Sequence, residues 1–255
     1  MLYIDQYVYQ NKLRFSHPLE KTVFAGVNLL CCVATDKPLV HLVVLAVMLG
    51  LLAIAAKIPG FVITRLMLAP AAFLLLGGLA IAVNVGASPD GMAGGLQLGP
   101  LFLGVSGQSL SLAAVTITKS LGATSALYFL VLTSPLSELL YVLRKLRVPA
   151  VVIELTMLVY RFIFVFLETA FAMYNAQSAR LGFISFKRSL NSFGLLFANL
   201  WVKAFFRSQA LYNSLLSRGY DGNLAVLHPE FKFSPAVTAA FALLASGVII
   251  LAYIV

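Results

Sequence analysis

Long apolar runs alternate with short polar breaks along this chain, and five of the runs approach the roughly 20 residues needed to cross a bilayer. They cover 21–35, with room to extend to 19 and 38, then 39–56, 66–85, 109–132 and 235–255. KIPG at 57–60 ends the second run, and the third contains Pro70 and the pair Gly77-Gly78. The stretch between the fourth and fifth runs has a different pattern. Ile153, Met157, Tyr160, Phe164, Leu167, Phe171 and Tyr174 recur every three or four residues, which predicts one apolar stripe on a long helix. A second stripe follows in Phe193, Leu196, Phe197, Leu200, Ala204, Leu211 and Leu215, with Lys203, Arg207 and Gln209 largely elsewhere. GFISFKRS at 182–189 reads as the turn between the two helices, and Arg218-Gly219 with Asp221-Gly222 as the stop of the second. A shorter helix is predicted within 133–149, opened by Ser134-Pro135 and closed by Pro149.

Charge orients these elements. Lys12, Arg14 and Lys21 precede the first run, Lys57 and Arg65 lie between the second and third, and 86–108 holds no Lys or Arg. Basic residues collect on the cytoplasmic side, so the N-terminus and 57–65 are expected inside and 86–108 outside. Arg144, Lys145, Arg147, Arg161, Arg180, Lys187, Arg188, Lys203, Arg207 and Arg218, ten of the eighteen basic residues, then belong to one cytoplasmic insert, with Lys232 at its edge. Residues 148–174 are apolar enough to suggest a sixth span. Crossing there would send six basic residues outside and place Glu154, Arg161 and Glu168 at membrane depth. An amphipathic helix beneath the membrane domain fits better.

Composition agrees. The chain is 61% hydrophobic and 11% charged, with mean hydropathy +0.96, whereas a soluble domain carries about 25% charged residues. Lipid must solvate much of such a surface. No cleavable signal is expected, because MLYIDQYVYQNKLRFSHPLEK lacks an apolar core followed by small residues. A net charge of +9 raises nucleic acid or anionic lipid as partners. In a membrane protein cytoplasmic bias accounts for it, and no nucleic-acid partner is expected.

Little in the chain suggests catalysis. His17, His41 and His228 are scattered, and adjacent Cys31 and Cys32 point in different directions on a helix, so no metal site is expected. No GxxxxGK[ST] occurs, so the chain should not hydrolyse ATP by itself. Glycines 91, 94, 95, 99, 104 and 107 lack the strand–helix setting of a phosphate loop and suggest a small hairpin or turn-rich lid. Lys119, in mid-span, reads either as part of a substrate pathway or, preferably, as a buried structural link to a carboxylate such as Glu138. Arg161 and Glu168 are further structural polar residues of the coupling helices.

The remaining signal is a pair of short motifs, Ala179-Arg180-Leu181 and Ser217-Arg218-Gly219, each closing one long helix. A guanidinium suits a helix C-terminus on dipole grounds alone. Two such residues, one per helix, also suit a partner with two similar sockets, each offering a carboxylate for forked hydrogen bonds.

With these residues in view, the chain resembles the transmembrane coupling subunit of energy-coupling factor (ECF) transporters, of the cobalt type, CbiQ. IDQYVYQNKLRFSHPLEK at 4–21 is similar to that subfamily's N-terminal signature. TSPLSELLYVLRKLRVPAVVIEL at 133–155 and YRFIFVFLETAFAMYNAQSAR at 160–180 are similar to its cytoplasmic helices, and SRGYDG at 217–222 to its second Arg-Gly motif. The resemblance implies partners: two cytoplasmic ABC-type ATPases, a CbiM-like substrate-binding membrane subunit and a small CbiN-like accessory subunit. It assigns coupling to the ATPases to Arg180 and Arg218, with Ala179, Ser217 and Gly219 around them. Leu181 departs from the family's usual Ala-Arg-Gly. No cofactor is implied on this chain; ATP and Mg would sit on the ATPases and Co2+ on the substrate-binding subunit.

The expectation is an all-α integral membrane protein of a prokaryotic cell membrane. It would have four spans within 1–132, cytoplasmic coupling helices over 133–232 and a fifth span over 233–255, and would be no enzyme itself. Two rivals are a stand-alone secondary permease using Lys119, which should show a hydropathy repeat between halves, and a scaffold binding anionic headgroups, which needs a continuous basic stripe. Neither pattern is evident.

Overall fold

A computed structural model describes residues 3–86, 93–98, 101–221 and 233–254. The described residues form nine α-helices and one small sheet, in two compact units. One comprises Leu2–Val142 with Glu230–Val255, the other Leu143–Pro229.

The first unit opens with α1 (Tyr3–Gln10) and a 3-10 turn (Lys12–Phe15). Next comes α2 (Pro18–Ala34), capped by His17 Nδ1, which accepts from the Leu19 amide, with Pro18 in the first turn, where its missing N–H costs nothing. Helix α3 (Pro38–Gly50) starts on a proline in the same way and passes directly into a π turn, Leu51–Ala55. Helix α4 (Gly60–Ala82) tolerates Pro70 inside it, and α5 (Gly107–Thr133) is opened by a reciprocal capping box between Ser106 and Ser109. Ser109 also donates to the last-turn carbonyl of Ala82, tying the end of α4 to the start of α5. Helix α6 (Leu136–Lys145) follows, and α9 (Pro235–Ile254) returns to the bundle. Between α4 and α5, β1 (Val83–Gly86), β2 (Ala93–Leu98) and β3 (Leu101–Val105) form an antiparallel sheet in the order β1-β3-β2. The small hairpin or turn-rich lid read in 86–108 contains the antiparallel pair β2–β3, and β1 adds a third strand that the sequence did not indicate.

The core gathers around α5. Phe24 of α2 stacks on Phe241 of α9 at 4.7 Å, and both meet Phe129 of α5 edge-on at 5.6 and 6.1 Å. Val40, Val44, Met48 and Leu52 recur at i+4 along α3 and its π turn and are fully buried. A Cβ added at Gly122 of α5 would lie 3.0 Å from Cys32 Sγ and 3.1 Å from the His41 carbonyl oxygen, so α2, α3 and α5 close on one another there. Cys32 is packed in this core, and both cysteines are free thiols.

Among the described residues, five helices are long and apolar enough to cross a membrane: α3 with its π turn (Pro38–Ala55), α4, α5, α9 and α7 (Ala150–Ala179) of the second unit. The number matches the sequence reading and the membership differs. Helix α2 has 17 residues and falls just short, while α7, read as a cytoplasmic amphipathic helix, qualifies by length and composition. The second unit consists mainly of α7 and α8 (Phe186–Leu216), joined by a short turn.

Candidate functional site: two arginine-capped helix ends

Helices α7 and α8 end in the same backbone device. After Arg180, Leu181 takes φ +59°, its amide donates to the Ser178 carbonyl at 3.0 Å, and the Gly182 amide donates to Gln177 at 2.9 Å. After Arg218, Gly219 takes φ +75°, its amide donates to Leu216 at 3.0 Å, and the Tyr220 amide donates to Leu215 at 3.1 Å. Both are Schellman caps, with the arginine one position before the left-handed residue. Each arginine is exposed, beside carbonyls whose dipole favours a cation.

The two ends lie far apart on the unit. Tyr220, just past α8, donates through its hydroxyl to Glu154 Oε2 near the start of α7 at 3.4 Å, while the turn joins the other ends. The helices therefore run antiparallel. Glu154 and Arg180 are about 26 residues apart, so Arg218 and Arg180 stand roughly 40 Å from each other at 1.5 Å rise per residue. Partial burial, then the adjacent Glu154 carboxylate, push the Tyr220 hydroxyl above its ordinary value.

The turn at Arg180 is tightly built. Phe183 packs between Tyr174 of α7 at 4.7 Å and Phe193 of α8 at 5.2 Å, and the buried Ser192 hydroxyl donates to the Gly182 carbonyl at 2.9 Å. A Cβ at Gly182 would lie 2.6 Å from Ser192 Oγ and 2.9 Å from the Gln177 carbonyl oxygen. Ser185 then caps α8 by accepting from the Arg188 amide. Leu181, 60% exposed, is the strained member, since a Cβ in the left-handed region costs about 1 kcal/mol. Leu181→Gly is therefore expected to raise the thermal midpoint of the detergent-solubilised protein, and Gly182→Ala to lower it; a scan of both variants against the parent checks the signs.

Much of the unit's apolar surface is exposed among the described residues. Phe186, Phe197, Trp201, Phe205 and Phe206 of α8, and Val151, Leu155, Val159 and Phe171 of α7, are all more than half exposed. A patch of that extent marks a partner or lipid surface. The predicted stripes are only partly covered: Ile153 and Leu196 are buried, whereas Leu167, Phe171, Tyr174, Phe193 and Phe197 are exposed. Arg161 and Glu168 are exposed too, spaced seven residues apart on one line of α7 with Glu154.

Two polar residues take partners that the sequence did not indicate. Lys119 is no buried link to Glu138: its side chain is 30% exposed and pairs at 2.9 Å with Asp36, in the connector between α2 and α3. Lys119 holds the Asp36 carboxyl below the usual range. Glu138 pairs instead with Lys21 of α2 at 2.7 Å, with the lysine fully buried. Burial pushes the Glu138 carboxyl up, against the pull of the Lys21 ammonium. Lys21 also donates to Thr133 O of α5 at 3.0 Å and to Leu13 O at 3.4 Å. Beside it, Asn11 donates to Leu132 O at 3.1 Å and to Val8 O at 2.7 Å, and His17 stacks on Phe233 at 3.7 Å. Thr238 of α9 donates to Glu20 at 2.6 Å. Within the signature, Asn11, His17, Glu20 and Lys21 thus form a buried polar knot. The signal was a lysine opening an apolar helix, but no local spacing names its carboxylate.

Among the described residues, no three His, Cys, Asp or Glu side chains converge on a point that could hold a metal ion. His41 is buried, with Nε2 2.9 Å from Thr35 O and Nδ1 3.4 Å from Thr118 Oγ1.

Comparison with known proteins now decides the family. The profile described as CbiQ, cobalt transport protein, matches residues 10–228. The chain belongs to the CbiQ cobalt transport family. A cobalt transport protein CbiQ of Rhodobacter capsulatus is 32% identical over 253 residues, covering 97% of this chain and 98% of that protein. The CbiQ of Salmonella typhimurium is 30% identical over 159 residues, covering 62% of this chain and 71% of its own length. A protein of Methanocorpusculum labreanum named as a fused cobalt transport protein, CbiMQ, is 31% identical over 232 residues, and this chain spans 39% of its length. With its apolar helices, this CbiQ family member is a multi-pass membrane protein, and these relatives are named as cobalt transport proteins.

Proposed function

We propose that this chain is the transmembrane coupling component of an ECF-type ABC importer, passing the motion of two ATPases to a separate membrane subunit that binds cobalt. The observation that carries the reading is the pair of identical caps holding Arg180 and Arg218 at opposite ends of one antiparallel helix pair. Two equal guanidinium tips roughly 40 Å apart suit a partner with two equal sockets, each engaged by forked hydrogen bonds. The exposed apolar faces of α7 and α8 would then meet a membrane subunit, and the fused CbiMQ relative supports a CbiM-like one. A CbiN-like accessory is the remaining partner. ATP and Mg belong to the ATPases and Co2+ to the substrate-binding subunit. The pairing of Lys119 with Asp36 supports a structural role for Lys119 and so favours coupling over the permease alternative.

In this reading the N-terminus and the second unit face the cytoplasm, and α7 does not cross. A crossing would carry Arg180, Lys187, Arg188, Lys203, Arg207 and Arg218 outside, against the charge bias. ATP-driven closure of the two ATPases would shift the arginine-tipped ends relative to each other, and the helix faces would pass that shift to the substrate-binding subunit.

Tagging the chain in its native host and extracting it in mild detergent tests the reading. A P-loop ATPase and a second membrane protein should co-purify at fixed stoichiometry. A chain that comes out alone, and stays alone after crosslinking in the membrane, contradicts it.

A further inference from the structure

We infer that Lys21 and Glu138 are positioning residues for coupling: their buried pair fixes the first turn of α6, the helix through which the chain passes into the second unit. This deepens the coupling role proposed above and rests on it. An ammonium has three protons to donate, and Lys21 directs each to a different segment. One goes to Glu138 on α6, one to the terminal carbonyl of α5 at Thr133, and one to Leu13 before α2. Asn11 caps the neighbouring carbonyl, Leu132. Directional bonds converging on one nitrogen set the register between α2, the end of α5 and the start of α6 in a way that apolar contact does not.

The chain division falls inside α6, between Val142 and Leu143, so the pinned turn lies one helical turn before the change of unit. One turn after Lys21, on the same helix, Phe24 joins the aromatic cluster with Phe129 and Phe241. The knot therefore ties the base of α6 to the centre of the bundle. Stability alone is a poor reason for it. A buried ion pair is often matched or bettered by apolar side chains of similar volume.

The test uses the complex extracted from the native membrane and returned to proteoliposomes, reading Co2+ taken up per ATP hydrolysed. Lys21→Met/Glu138→Leu should keep its ATPases bound and still hydrolyse ATP, while uptake per ATP falls by about five-fold or more. Asp36→Asn, which removes the exposed pair with Lys119, should keep the parent ratio. A parent-like ratio in the double variant overturns the positioning role and leaves the coupling reading intact. A parent chain that carries no ATPase overturns both. If the apolar pair fails to accumulate, Lys21→Met/Glu138→Gln, which removes the ammonium and its three hydrogen bonds and leaves no buried charge, is read in the same assay. A parent ratio there is equally fatal to the inference.

Discussion

Lys21→Met, made alone, lowers the thermal midpoint of the detergent-solubilised protein by about 15 °C, and Glu138→Leu lowers it by about 10 °C. The pair is buried on both sides, with side chains 0% and 6% exposed. Removing one partner leaves an uncompensated charge in the interior, which costs roughly 3–5 kcal/mol. For a chain of this size each kcal/mol moves the midpoint by about 2–4 °C. Lys21→Met also strands the Thr133 and Leu13 carbonyls, adding roughly 1 kcal/mol for each lost hydrogen bond. The double variant Lys21→Met/Glu138→Leu should recover at least half of the loss, because no buried charge remains. Thermal scans of the two single variants and the double one form a complete cycle. Additive losses would mean that the two groups do not depend on each other.

Arg180→Ala and Arg218→Ala have the opposite profile: near-parent stability and a large functional loss. Both side chains are exposed at helix ends, so their structural share is limited to the dipole, about 0.3–1 kcal/mol. A forked contact to a partner carboxylate is stronger, and losing a charge-assisted hydrogen bond costs roughly 1.5–3 kcal/mol, or about ten-fold or more in coupling. Because the caps are equivalent, each single variant should be impaired to a similar degree. Arg→Lys at either position should restore little, since a point charge cannot reproduce the planar fork.

Four of the five predicted spans were legible because their determinants are local. The runs at 39–56, 109–132 and 235–255 match α3 with its π turn, α5 and α9 to within a few residues, whereas α4 starts six residues before the run at 66–85 and β1 takes 83–85. The arginine-tipped ends were legible for the same reason, as Gly219 supplies the positive φ that its cap requires. What the sequence hid depends on distant partners. Lys119 lies in mid-helix and seemed to need a buried carboxylate, but the short α2 brings the α2–α3 connector, with Asp36, level with it. Glu138 was placed with the wrong lysine, because nothing local sets residue 21 against residue 138. Leu181 accepts a glycine conformation because Gly182 and Ser192 close the turn around it. Phe193 and Phe197 fit the helical period and remain exposed, since periodicity gives a face and not what covers it.

The measurement that bears most directly on the coupling role is ATP hydrolysis and Co2+ uptake, recorded side by side, by the reconstituted complex carrying Arg180→Ala/Arg218→Ala. Hydrolysis that continues or falls while uptake per ATP collapses is the predicted result. Uptake per ATP equal to the parent's, in a complex that still contains the ATPases, would contradict the account.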